Sequence, residues 1–88
     1  MAVVERQEIL RRGADLIDAH RDELAIRESI CAGLTVAHLG IRQIPRAAQN
    51  YRFFADVIGT LDGETYEQEK GFLTVITRQP AGVAALLA

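Results

Sequence analysis

The closing stretch Val83-Ala-Ala-Leu-Leu-Ala88 is apolar at every position. A strand that is apolar on both faces belongs in the middle of a parallel sheet, with helices above and below. Parallel neighbours require crossover connections, and each strand–helix–strand unit takes about 30 residues or more. No such unit fits ahead of residue 83. The expectation is therefore a strand whose sheet partners come from further chain, so that the 88 residues are one piece of a larger α/β protein. A short C-terminal helix or a lone core strand is the competing reading, because periodicity does not separate short buried strands from helices.

Length and charge narrow the rest. Eighty-eight residues make one domain's worth of chain, burying roughly 60% of the unfolded surface at most. Ten Lys+Arg against twelve Asp+Glu give a formal charge of −2, without the basic footprint of a nucleic-acid binder. Hydrophobic residues at 49% and charged residues at 25% describe a folding chain, not a disordered one. A single cysteine, Cys31, excludes an internal disulfide framework and a Cys-based zinc centre, and the reducing cytoplasm is the expected compartment. The start Met-Ala-Val-Val-Glu-Arg lacks a signal peptide's basic opening and long apolar core. The longest apolar run is far below the roughly 20 residues of a membrane span. Neither nucleic acid nor membrane is an expected partner.

Residues 3–58 read as helical. Ile9, Leu10, Gly13, Leu16, Ile17 and His20 share one face of a first helix from about Val4 to His20. Gly13 costs that helix up to about 1 kcal/mol against alanine, which the close crossing of another backbone would explain. Asp22 is the expected cap of a second helix that runs through Leu24, Ile26 and Ile30 to about Ala32, with Gly33 as its left-handed stop. Residues 34–43 fit either a loop or a short helical turn. Pro45 suits the first turn of a third helix, in which Ile44, Ala47, Tyr51, Phe54 and Ile58 form one apolar stripe that Phe53 widens.

Gly59 and Leu61-Asp62-Gly63 turn the chain, after which Phe72–Thr77 is β-branched and reads as a strand. Gln79-Pro80-Ala81-Gly82 separates it from the terminal apolar run. No Ser/His/Asp, Cys/His, paired-carboxylate or phosphate-loop constellation can be assembled, so an enzyme acting through these residues alone has no support. His20 and His38 lack a carboxylate or cysteine partner at ligand spacing, and no metal is expected. Cys31, near the end of the second helix, reads as a small packing side chain.

Taken in order, Ile9-Leu-Arg-Arg-Gly-Ala-Asp-Leu-Ile-Asp, Asp22-Glu-Leu-Ala, Glu28, Arg52-Phe-Phe-Ala-Asp, Gly63-Glu-Thr and Arg78-Gln-Pro-Ala-Gly-Val resemble the N-terminal part of the aldehyde dehydrogenase superfamily. The stretch Ile44-Pro-Arg-Ala-Ala-Gln-Asn-Tyr-Arg-Phe-Phe-Ala-Asp, followed by Gly63-Glu-Thr-Tyr, is similar to the subgroup acting on hydroxymuconic semialdehydes, the carboxymethyl-hydroxymuconate type included. The likeness covers nearly the whole chain. Where the family usually carries an acidic residue, Lys and Pro after the second helix, this chain has Cys31-Ala-Gly33-Leu34-Thr35.

The resemblance implies an α/β fold: three helices, an oligomerisation-type strand, and in Val83–Ala88 the first strand of a dinucleotide-binding sheet. Residues 1–88 would be a partial N-terminal segment of the NAD(P)-binding domain, with 64–80 contributing to the bridging element that builds homodimers or homotetramers. The implied reaction oxidises an aldehyde to an acid with NAD or NADP. A cysteine thiolate attacks the aldehyde, hydride leaves to the nicotinamide, and glutamate-activated water hydrolyses the thioester. The oxyanion Asn, the glutamate, the nucleophile and the cofactor-holding segments are expected beyond Ala88, so no residue here is assigned to catalysis or to cofactor binding.

The start of the third helix is expected, by the same resemblance, to line the mouth of the substrate tunnel. Arg46, with Arg42 one turn earlier, would place fixed positive charge there and hold a semialdehyde bearing carboxylates by charge-assisted hydrogen bonds. Asn50, four residues on, would add a neutral donor on the same face. The alternative is that both arginines are solvated or pair with Asp56 or Glu28. For the chain as a whole the alternative is a small non-enzymatic interaction module that presents the Tyr51/Phe54 stripe to a partner helix.

Overall fold

The computed structural model describes residues 1–87. Its first two helices, α1 (Val3–Ala19) and α2 (Arg21–Ala32), are separated by His20 alone. The Glu5 carboxylate accepts the Ala2 backbone N–H at 2.7 Å, which satisfies one orphan donor at the start of α1. At the other end the His20 ring lies with Nδ1 2.9 Å from the Leu16 carbonyl; a carbonyl only accepts, so Nδ1 donates. The Leu24 N–H donates to the His20 carbonyl, so α2 begins two residues earlier than expected. Asp22 is therefore not its cap. It lies with Glu23 in the first turn, where both carboxylates meet the positive end of the helix dipole. Gly33 ends α2 with φ 74°, in the left-handed conformation, as its position predicts.

Residues 34–43 are mostly helical. Thr35 caps α3 (Val36–His38), which runs into a π-helical turn over Leu39–Gln43 and then α4 (Ile44–Val57). Pro45 explains the wide turn. Proline has no N–H for the carbonyl of Ile41, and its ring would press on that carbonyl in a regular helix. The π turn opens the ladder there: the Ile44 N–H reaches back five residues to Leu39.

The core is the contact of α1 with α4, and it is built from small residues. Ala14 on α1 and Ala48 and Ala55 on α4 are all 0% exposed. Two ring carbons of Tyr51 lie 3.3 Å from where a Cβ on Gly13 would sit, so a side chain, not a crossing backbone, occupies the space this glycine leaves. The expected stripe on α4 is therefore rotated. Ala48 and Ala55 face α1, while Phe53 and Phe54 remain exposed, their rings edge to face at a centroid distance of 5.2 Å. Large side chains would hold the two helices apart, so the alanines take the seam. Tyr51, seated on Gly13, is already engaged within the chain, which leaves less of the Tyr51/Phe54 stripe for an external helix.

Polar groups fix the register of the pair. The Arg52 guanidinium reaches Asp15 and Asp18 of α1, each at 2.8 Å. Hydrogen bonds to Asp15 and then Asp18 raise its basicity further, so it stays charged at every physiological pH. Arg11 pairs with Asp56 at 2.8 Å, and the Gln7 amide donates to the Ala55 carbonyl at 2.9 Å. Exposed pairs each contribute little, and their role here is alignment more than strength. Leu39, 1% exposed, is the one fully buried side chain larger than alanine among the described residues.

A 3-10 turn at Ile58–Thr60 ends the helical part, and strands β1 (Glu64–Glu69) and β2 (Phe72–Ile76) form an antiparallel hairpin. Glu64 pairs with Ile76 and Glu67 with Leu73, with a bulge before Glu69. Gly71 supplies the positive φ (91°) of the turn. β2 matches the expected strand; β1, Glu-Thr-Tyr-Glu-Gln-Glu, was not expected, because polar residues of low β propensity hide a strand that pairing with β2 creates. The hairpin packs on none of the helices among the described residues. Arg78 closes its base, donating from Nε to the Asp62 carbonyl at 3.0 Å and from Nη2 to Glu64 at 3.1 Å.

The terminal apolar run is unpaired among the described residues. Residues 83–87 form no strand, and Val83, Leu86 and Leu87 are fully open to solvent. A parallel strand exists only when hydrogen-bonded to a neighbour, and these 87 residues supply none. Ala88, the last residue of the expected strand, lies outside the described residues. The chain consequently spans 62 Å, with a radius of gyration of 19.0 Å against about 12 Å for a compact domain of this length. Its accessible surface of 7561 Å² exceeds the roughly 5,100 Å² of a compact monomer of its mass.

Two outcomes follow from the packing. Ala55→Leu, which forces a branched side chain into the α1–α4 seam, lowers unfolding stability by about 1–3 kcal/mol in urea titration; an unchanged midpoint would show that the seam is loose. A Cβ at Gly63 would strike the Ile76 carbonyl oxygen. Gly63→Ala therefore speeds amide exchange at the paired residues Thr65 and Val75 while leaving α1 and α4 unaffected.

Candidate functional site

Helical geometry decides which residues share a surface with Arg46. Successive residues turn by about 100°, so positions two apart stand nearly opposite one another. Ala48 and Ala55 are buried against α1, and Arg46, Asn50 and Phe53 therefore lie on the far side of α4. Arg42 joins them from the π turn. Together with Pro45 and Gln49 these residues line an open depression of about 470 Å³. The structure thus brings all three sequence-predicted residues, Arg42, Arg46 and Asn50, to one place.

The charge in this depression is uncompensated. Asp56, one candidate partner for the arginines, is held by Arg11 at 2.8 Å. Glu28 forms no ion pair, and neither Arg42 nor Arg46 is paired with any acid among the described residues. Two guanidiniums one turn apart, with ten N–H donors between them and no ion-pair partner among the described residues, suit an anion from outside.

Sequence reasoning placed Phe53 in the apolar stripe, whereas it is 59% exposed and lines the depression. The signal that places it there is its spacing: Phe53 follows Arg46 by seven residues and Gln49 follows by three, both on the arginine's face. A second depression, at the junction of α1 and α2, is lined by Asp18, Asp22 and Glu23 with Arg21, whose guanidinium is 3.9 Å from Asp18. No group of three or more His, Cys, Asp or Glu gathers to hold a metal among the described residues. Cys31 is free and exposed at the end of α2, and His38 lies 3.4 Å from the Gln43 amide nitrogen. No glycine-rich turn joins a strand to a helix among the described residues, so no cofactor contact is assigned to them. No helix is long and apolar enough to cross a membrane among the described residues.

Comparison with known proteins finds relatives along almost the whole chain. The chain is 39% identical over 83 residues to 5-carboxymethyl-2-hydroxymuconate semialdehyde dehydrogenase of Escherichia coli, covering 94% of this chain and 18% of that protein. It is 39% identical over 84 residues to 2-aminomuconic semialdehyde dehydrogenase of Bos taurus, covering 94% of this chain and 17% of that one. It is 35% identical over 83 residues to the NADP/NAD-dependent aldehyde dehydrogenase PuuC of Escherichia coli strain K12, with 94% and 17% covered. The chain thus spans less than a fifth of the length of these relatives. No solved structure matches it significantly. The model of the aldehyde dehydrogenase family matches residues 1–88, end to end, and the chain belongs to that family.

Proposed function

We propose that the chain is the N-terminal part of an NAD(P)-dependent aldehyde dehydrogenase that oxidises a semialdehyde bearing carboxylate groups, of the kind formed in the breakdown of aromatic compounds. The aldehyde takes up water and gives an acid, while the nicotinamide accepts a hydride. The observation that carries the reading is the pair Arg42 and Arg46, unpaired with any acid among the described residues and lining one open depression. Arg46 holds a substrate carboxylate, Arg42 adds a second positive charge, and Asn50 contributes a neutral donor beside them. The names of two relatives, both semialdehyde dehydrogenases of muconate type, support the same substrate class.

The hairpin of β1 and β2 serves as the oligomerisation arm in this reading, and the assembly is a homodimer or homotetramer. Phe72, Leu73 and Val75 are each more than half exposed, an edge of apolar surface that the chain does not cover for itself. The terminal run 83–88 enters the dinucleotide-binding sheet beside strands contributed by the rest of the enzyme. The working compartment is the cytoplasm, with which a free, exposed cysteine is compatible.

In the full-length enzyme, Arg46→Ala raises KM for a dicarboxylic semialdehyde about tenfold or more, the loss expected for a hydrogen bond to a charged group. KM for an uncharged aliphatic aldehyde stays nearly the same. Steady-state kinetics on both substrates decide the matter; equal effects on the two would refute the role of Arg46.

A further inference from the structure

We infer that Pro45 is a positioning residue: by holding the turn over Leu39–Gln43 open, it sends Leu39 into the core and leaves Arg42 beside Arg46. The inference rests on the reading of the two arginines given above and adds to it what aligns them.

Helical spacing by itself would not separate Leu39 from the arginines. Leu39 precedes Arg46 by seven residues. At about 100° per residue that is a rotation of about 700°, within about 20° of two full turns. In an unbroken α-helix the two side chains would share one face. In the structure Leu39 is 1% exposed, whereas Arg46 is exposed and lines the open depression. The difference arises in the π turn. The Ile44 N–H reaches Leu39 and not Gly40, so the turn holds one more residue than an α turn does. One extra residue rotates everything N-terminal to it by roughly 100° relative to α4. That rotation carries Leu39 off the arginine's face. Gly40 follows it inward: a Cβ there would lie 3.9 Å from the Cβ of Ala25, itself 1% exposed on α2. Arg42 stands near the C-terminal end of the turn, takes only part of the rotation, and lines the same depression as Arg46.

Pro45 keeps this turn from closing. With an N–H at position 45 the chain could bond to the Ile41 carbonyl and continue as a regular α-helix. Ala48 and Ala55 in the seam fix the rotation of α4, and burial fixes Leu39. Closing the turn then falls on the residues between them, and the Arg42 guanidinium moves away from Arg46. Single π turns inside helices recur at functional sites; here the segment so shaped carries one of the two cations.

The test uses the full-length enzyme and the ratio of KM for a dicarboxylic semialdehyde to KM for an uncharged aliphatic aldehyde. Pro45→Ala restores the N–H without removing a charge and raises this ratio about three- to tenfold, with little change in kcat. Pro45→Gly restores the same N–H with less drive toward the helix and shifts the ratio the same way by less, which keeps the proposal testable where alanine upsets folding. In an Arg42→Ala background Pro45→Ala has no further effect on the ratio, because both changes take the same charge from its place. An unchanged ratio in Pro45→Ala beside a raised one in Arg42→Ala, or additive effects of the two, overturns the role of Pro45. Failure of the underlying reading looks different: neither Arg42→Ala nor Arg46→Ala then alters the ratio, and the role of Pro45 falls with that of the arginines.

Discussion

Close approach of α1 and α4 is the constraint on which the rest of the chain depends. Gly13 and Ala14 on one side and Ala48 and Ala55 on the other let the helices meet with almost no side-chain volume between them. That seam fixes the rotation of α4 about its axis. Once Ala48 and Ala55 are turned inward, Arg46, Asn50 and Phe53 can only be turned outward, and the packing face determines which residues the open depression presents. The polar contacts of Arg52 with Asp15 and Asp18 then hold the register along the seam.

A seam of alanines buries little apolar surface, and the consequence is visible throughout the molecule. Among the described residues Leu39 alone of the large side chains is fully buried, and Ile26, Ile30, Ile41 and the hairpin's apolar residues remain largely exposed. At about 25 cal/mol per Å², such exposure is a substantial free-energy deficit relative to a compact domain. The chain spans less than a fifth of the length of its relatives, and in the function proposed above these surfaces would be covered by further chain and by neighbouring subunits.

Much of the helical part was legible in the sequence because its signals are local. Gly33 stops α2 through its own backbone freedom, and Pro45 sits in the first turn of α4 for want of an N–H. The orientation of α4 was less legible. Hydropathy weights Tyr51, Phe53 and Phe54 above Ala48 and Ala55, yet interhelical distance selects for small size, so the apolar stripe is rotated toward the alanines. The cap was misplaced by two positions, at Asp22 instead of His20, for a related reason: capping preference is a weak local bias, and His20 with its ring bound to the Leu16 carbonyl already terminates α1 and starts α2. Strand β1 was hidden because its residues have no strand pattern of their own; only the ladder to β2 makes them extended.

By itself the sequence determined the helical elements, the turn glycines and the charge stripe at Arg42, Arg46 and Asn50, since these follow from spacing along the chain. The tertiary structure decided that this stripe is unpaired, because Asp56 is committed to Arg11 on another helix, and that Phe53 belongs with it. It also decided that the run 83–87 is not a strand in this chain. A helix is satisfied by its own backbone, whereas a strand acquires its hydrogen bonds from a neighbour, and no periodicity in Val83-Ala-Ala-Leu-Leu can supply one.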